Sequence, residues 1–195
     1  TMSIMSGMVK GIDSLYDDRV IPLEQIKTVS DNYAVSIVDL FHKYRADQIS
    51  KTDFLAAVEN AKDVADSKWK SYLGTKLTAE EQRLVNIVEK NLAVVESALN
   101  AFLTQVKSNQ LKAVPNEVFV KNLYDVFDPL SESYQGLINL QINEANKFKN
   151  AADKDFAQVT IAMTASITVL IILLLAIAFI IYRSIHNPLL SLSET

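Results

Sequence analysis

VTIAMTASITVLIILLLAIAFIIY, from Val159 to Tyr182, is the stretch on which the reading of the fold turns. Between Asp155 and Arg183 lie 27 consecutive uncharged positions. A helix needs roughly 20 to cross about 30 Å of hydrocarbon. From Val169 to Ile181 only Val, Leu, Ile, Ala and Phe occur. The core helix of a soluble protein rarely runs so far without a polar face, and a signal peptide is shorter and sits at the N-terminus. The stretch is therefore predicted to span a membrane, with the other residues before it on one side.

Composition narrows what those residues form. Hydrophobic residues make up 49% of the chain and charged residues 22%, and the span accounts for the apolar excess. Only four glycines and four prolines are present, too few to punctuate a many-stranded fold, so the class is expected to be all-α. Cysteine is absent, which excludes disulfides and thiolate metal sites. A net charge of −4 argues against a nucleic-acid surface. The chain opens on Thr1 and stops at Thr195, so both ends read as cuts in a longer protein.

Upstream of the span, four stretches carry helical periodicity. Ile12, Tyr16, Arg19, Leu23, Ile26, Ser30, Tyr33, Ile37, Leu40 and Tyr44 alternate spacings of three and four, the seam of a bundle helix with two polar exceptions. Pro22 is expected to kink it or mark a local start. Ser50 with Asp53 has the form of a capping box and opens a second helix. Its face is Phe54, Val58, Ala61, Ala65, Trp69 and Tyr72, with Gly74 as C-terminal cap. Thr78 with Glu81 opens the third, whose seam runs Leu84, Val88, Asn91, Val95, Leu99, Phe102 and Val106.

The fourth pattern runs Leu123, Phe127, Leu130, Tyr134, Leu137, Gln141, Ala145, Phe148, Ala152 and Phe156, with Pro129 expected to bend it or set off a short entry segment. Neither Gly nor Pro occurs from 137 to 187, so a single rod of about 75 Å is expected to run from the domain into the bilayer. Four such helices joined by short loops form an antiparallel up-down-up-down four-helix bundle, with helix 4 continuing into the transmembrane helix. The loops around 46–52 and 109–116 then lie at the membrane-distal end. A chain that enters and leaves at the membrane also points to another span before Thr1.

Chemistry at a catalytic centre finds little support: the chain has no Gly-rich phosphate loop, no HExxH, no GxSxG, two histidines and no cysteine. The expectation is that it is no enzyme and carries no metal or cofactor. The mixed charges Lys62, Asp63, Asp66, Lys68 and Lys70 read as a solvated stripe. His42, Lys43 and Arg45, in the last turn of helix 1, admit two readings. Cations favour a helix C-terminus, where the macrodipole is negative. Alternatively they form an anion site, with Arg45 gripping a carboxylate in bidentate fashion and Lys121 and Tyr124 of helix 4 adding donors.

Past the span, R-S-I-x-x-P-L (Arg183, Ser184, Ile185, Pro188 and Leu189) resembles the entry of a HAMP linker. Pro188 is expected to stop or offset the rod there. LYDDRVIPL (Leu15 to Leu23) and VDLFHKYR (Val38 to Arg45) resemble the first helix of the sensor bundle of bacterial methyl-accepting chemotaxis receptors. This resemblance implies a ligand-sensing bundle over 1–156 in the periplasm, a transmembrane helix over 157–182 in the inner (cell) membrane, and a HAMP start over 183–195 in the cytoplasm. It further implies a homodimer that binds a small organic or amino acid near the distal end, and cytoplasmic signalling partners reached through a C-terminal region beyond Thr195. The ligand residues expected on this basis are Arg45, His42, Lys43, Lys121 and Tyr124. The three arginines late in helix 1 that mark the aspartate-receptor branch are not reproduced. The competing readings are the input module of a sensor kinase or cyclase, and a membrane-anchored structural bundle without ligand.

Overall fold

Every stretch with a three–four repeat becomes helix. A computed structural model describes residues 7, 11 and 13–193, with side chains as far as residue 184. Helix α1 covers 16–45 as four consecutive segments: π-helical Tyr16–Val20, α-helical Ile21–Asp31, π-helical Asn32–Ile37 and α-helical Val38–Arg45. Then come α2 (Lys51–Leu73), α3 (Ala79–Lys107), a 3₁₀ turn at Leu111–Ala113, and α4 (Asn116–Ser193). No strand occurs among the described residues, as the all-α expectation required. Ile12 lies outside the described residues, as do the side chains of Ile185, Pro188 and Leu189.

Cross-helix bonds fix the directions. Arg19 and His42 of α1 meet Gln141 and Tyr124 of α4, so those helices are antiparallel. Glu24 meets Lys68 and Phe41 meets Phe54 between α1 and α2, Lys62 meets Glu96 and Lys51 meets Lys107 between α2 and α3, and Asn91 meets Pro129 and Glu81 meets Gln141 between α3 and α4, so each sequential pair is also antiparallel. The core has an aromatic layer to which all four helices contribute. Phe41 packs on Phe54, Phe102 and Phe119 with ring centroids 5.1, 5.5 and 6.4 Å apart, mostly edge-to-face. Such contacts add about 0.5–1.5 kcal/mol each beyond area burial. Toward the other end Trp69 packs on Tyr72 and Tyr134.

All six predicted face residues of α2 are buried. In α4 the face from Leu123 to Gln141 is buried as well, whereas Ala152 and Phe156 are exposed. Helix α1 buries Ile26, Tyr33, Ile37 and Tyr44 of its predicted seam, while Leu23, Ser30 and Leu40 are only half-buried. Val29, Val38 and Phe41 are buried in addition, and the π-turn Asn32–Ile37, which takes up one residue more than an α-turn, brings Val38 and Phe41 onto the inward face beside Ile37 and Tyr44. A second apolar edge of α1 read from the sequence as a dimer contact, Leu15, Val29, Val35 and Val38, is split: Val29 and Val38 are buried in the bundle, whereas Leu15 is half-buried and Val35 is exposed.

Helix ends are built from the local sequence. Thr78 and Glu81 close a complete capping box. At Ser50 only half of it forms: the Asp53 N–H donates to Ser50 Oγ at 3.1 Å, and the hydroxyl turns to the Asp53 carboxylate. Gly74 caps α2 with φ −74°, so it does not use glycine's left-handed freedom. That region is occupied by Asp47 (φ 58°) and Asn109 (φ 59°), the residues that close α1 and α3. In both closures the following amide reaches back five residues, Gln48 to the Lys43 carbonyl and Gln110 to the Gln105 carbonyl.

The chain divides into two units, Thr1–Asn146 and Lys147–Thr195. The second is helical, and its apolar segment has no buried residue. Among the described residues one helix is long and apolar enough to cross a membrane. α4 runs through Pro129 and Pro188 without the breaks expected there. A proline within a helix removes one donor from the ladder, and the neighbouring bonds carry the helix across.

Candidate functional site

The end of α1 is where charged and aromatic groups from three elements converge. α1 stops at Ala46 because Asp47 turns left-handed, and this places Arg45 beside the α3–α4 connection. Its guanidinium donates from Nη1 to the Leu111 carbonyl at 2.5 Å and from Nη2 to the Val114 carbonyl at 2.9 Å. The same group stacks 4.4 Å over the Phe119 ring. Arg45 thereby adds a second donor to the Leu111 carbonyl, which already accepts from the Val114 N–H, and supplies one to the Val114 carbonyl just ahead of α4. Two of its five N–H groups are used in these bonds, and the others are not.

His42, one turn earlier, packs edge-on against the same Phe119 (5.7 Å), and its Nε2 lies 3.3 Å from the Tyr124 hydroxyl. His42 and Tyr124 therefore meet, and His42 and Arg45 share Phe119. The other two expected residues are held on their own helices: Lys43 pairs with Asp39 at 2.6 Å, and Lys121 pairs with Asp125. All five lie at the end of the bundle where α1 stops and α4 begins.

Next to this cluster is an open depression of about 470 Å³, lined by Tyr44, the 47–51 loop, Asn109 and Lys112. Lys112 pairs with Asp47 and sits 4.5 Å over the Tyr44 ring. Lys51 donates to the Lys107 carbonyl at 2.8 Å and to Asn109 Oδ1 at 3.1 Å. Lys51, Lys112 and Phe119 did not emerge from the sequence reading. The usable signal was the Asp or Asn that follows each helix end, Asp47 and Asn109, which meet Lys112 and Lys51 of the opposite connection.

Two further polar clusters lie deeper. Halfway along the bundle the Tyr33 hydroxyl donates to Glu96 at 2.6 Å, and Lys62 donates to the same carboxylate at 2.7 Å. Burial, then the Glu96 hydrogen bond and charge, push the Tyr33 phenol well above its usual value. Burial first, and the Glu96 charge second, also raise Asp66. The stripe read as solvated is thus partly an inter-helix contact, since Lys62 and Lys68 both pair with other helices. Toward the other end Arg19, Glu81 and Gln141 meet. Arg19 and Gln141 are polar residues at seam positions, and that irregularity was the sequence signal for their contact.

These side chains can bind and orient a polar ligand. No group of three or more His, Cys, Asp or Glu that could hold a metal ion occurs among the described residues. The chain matches the family described as a four-helix-bundle sensory module for signal transduction over residues 2–156. The methyl-accepting chemotaxis protein NahY of Pseudomonas putida is 31% identical over 200 residues, an alignment covering 98% of this chain and 36% of that protein. The chain thus spans about a third of the length of this curated relative. No solved structure matches it significantly. The resemblance read from LYDDRVIPL and VDLFHKYR is borne out, and the chain belongs to the family of four-helix-bundle sensory modules for signal transduction.

Proposed function

We propose that this chain is the sensory and membrane-anchoring part of a bacterial chemoreceptor. It senses a small organic or amino acid in the periplasm and passes the signal along α4, through the inner membrane, to a HAMP linker and a cytoplasmic chemotaxis output. The observation that carries this reading is α4 itself: it contributes Tyr124 to the distal cluster and includes the apolar segment in the same helix. The similarity to a methyl-accepting chemotaxis protein supports the chemotaxis output over a kinase or cyclase.

In this proposal the ligand carboxylate lies against His42, Tyr124 and the unused N–H groups of Arg45, with Lys43 and Lys121 as cations that can turn from Asp39 and Asp125. The receptor is a homodimer, and the exposed apolar residues of α1 (Tyr16, Val20 and Val35) supply its contact surface. A charge-assisted hydrogen bond contributes about 1.5–3 kcal/mol, so Tyr124→Phe and His42→Gln are each expected to weaken binding roughly tenfold to a hundredfold. Calorimetry of the chain in nanodiscs with a panel of organic and amino acids tests this. Failure of every acid to bind would exclude the carboxylate reading. Unchanged affinity in both variants would exclude the site.

A further inference from the structure

Tyr33 of α1 and Tyr134 of α4 reach across the core toward the seam between α2 and α3. Both are buried, 1% and 0% exposed. The Tyr33 hydroxyl donates to Glu96 of α3 at 2.6 Å. The Tyr134 hydroxyl has no hydrogen-bond partner among the described residues. Burial, then the charges of Asp66 and Glu96, push the Tyr134 phenol above its usual value, so the hydroxyl lies beside both carboxylates. A buried donor left unpaired is costly, and this one stands next to acceptors that a further group could join to it.

Over this floor the seam opens into a groove of about 540 Å³ that Asp66 itself lines. Leu55 and Val58 of α2 and Leu103 of α3 give it apolar walls. Glu59, Asp63 and Asp66 follow at intervals of four and three residues, so they share one face of α2 over about 10 Å. Among the described residues none of these three carboxylates has a hydrogen bond or ion pair. Two lysines also border the groove. Lys62 is held by Glu96 at 2.7 Å, and Lys107 lies one turn beyond Leu103. Three unpaired carboxylates against one unpaired ammonium leave the groove negative.

We propose that the α2–α3 groove is a second ligand site, which binds a short linear aliphatic polyamine. One terminal ammonium lies against Asp66 and Tyr134. The Tyr134 hydroxyl then donates to Asp66, and its oxygen accepts from the ammonium, so the unpaired donor is satisfied. A second nitrogen meets Glu59 and Asp63, and the methylenes between the nitrogens cover Val58, Leu55 and Leu103. A single metal ion suits this site poorly, because no three acidic or histidine side chains among the described residues converge closely enough to hold one. Carboxylates spread over two helical turns match a cation whose charge is spread along a chain. None of the residues proposed to hold the carboxylate ligand takes part, so this site stands or falls independently of that reading.

Calorimetry of the full chain in phosphatidylcholine nanodiscs, whose lipid has no net charge, tests the proposal with butylamine, putrescine and spermidine. Affinity is expected to rise in that order. Asp66→Asn is expected to weaken spermidine binding about tenfold or more. Tyr134→Phe is expected to weaken it roughly three- to tenfold without lowering the melting temperature, because the hydroxyl it removes is unpaired in the free protein. A lower melting temperature with unchanged affinity would make Tyr134 a structural residue only and overturn the proposal. So would the absence of binding by all three amines, or spermidine binding that magnesium at equal charge abolishes, which marks diffuse charge alone. If either variant does not fold, Glu59→Gln on the exposed side of the groove is expected to weaken spermidine roughly two- to fivefold, and unchanged affinity there also overturns it.

Discussion

Asp66 stands at the edge of the Tyr33–Glu96–Lys62 cluster, where burial and then the Glu96 charge raise its carboxyl against the opposing pull of Lys62. A carboxyl raised by folding holds its proton more tightly in the folded state. Its favourable contribution is fully present below the unfolded value near 3.8 and is lost as pH rises through the folded value. At neutral pH the ionised group works against the fold. Asp66→Asn is therefore expected to unfold at higher urea than the parent near neutral pH, with the gain shrinking as pH falls toward 3.8. A variant equal to the parent at both pH values would show that Asp66 is fully solvated. Arg45 poses the opposite case. Its bonds to the Leu111 and Val114 carbonyls predict that Arg45→Ala lowers stability by about 1.5–3 kcal/mol. Arg45→Lys should recover only part, because one ammonium cannot reproduce the planar fork. Urea denaturation of the three proteins measures both effects, and a loss under 1 kcal/mol in Arg45→Ala would leave only the helix-dipole role.

The elements were legible to different depths. α2 was read residue for residue because nothing interrupts its repeat, and all six face residues are buried. α1 was read correctly as a helix but with too narrow a face: Ile26, Tyr33, Ile37 and Tyr44 are buried as read, and Val29, Val38 and Phe41 join them, since a repeat of three and four assumes a uniform turn and two π-helical segments break it. The capping signature was complete in Thr78 and Glu81 and half true in Ser50 and Asp53, because a short aspartate side chain does not complete what a glutamate can. His42 and Tyr124 were found by topology. Lys51 and Lys112 were missed because contacts between connections carry no periodicity, whereas Phe119 lies four residues before Leu123 and extends the buried face of α4 by one turn. One consequence belongs to α4. Gly136 sits inside the helix, and a Cβ there would meet Leu84 Cδ2 at an ordinary 3.8 Å. Gly136→Ala is thus expected to stabilise the bundle by roughly 0.5–1 kcal/mol. Thermal unfolding of the pair checks this, and a destabilised alanine variant would mean that α3 and α4 approach more closely than this spacing allows.

At the scale of the molecule, the two units have opposite solvent requirements. The first buries its apolar faces on one another, with Phe41, Phe54, Phe102 and Phe119 at the centre. The second exposes its large aliphatic side chains from Ile161 to Ile181; Leu175 and Ile180 are each 65% exposed. In water that surface has no partner, and hydrocarbon removes the penalty. The full chain is therefore expected to float with liposomes in a density gradient, while a chain ended at Asn146 stays in the soluble fraction and remains helical by circular dichroism. Recovery of the full chain in the soluble fraction, or flotation of both, would contradict the assignment of the apolar helix to the bilayer.

The span is also mechanically uneven. Thr160, Thr164, Ser166 and Thr168 each turn their hydroxyl back onto the carbonyl four residues earlier, at 2.8–2.9 Å. Those carbonyls are shared between a hydroxyl and a backbone amide, and helices with such shared acceptors bend more easily. From Val169 to Ile181 no side chain can do this, because all are hydrocarbon. The first part of the span is thus compliant to bending and the remainder stiff. Every carbonyl shared in this way, those of Phe156, Thr160, Ala162 and Thr164, therefore lies in the first part of the apolar segment.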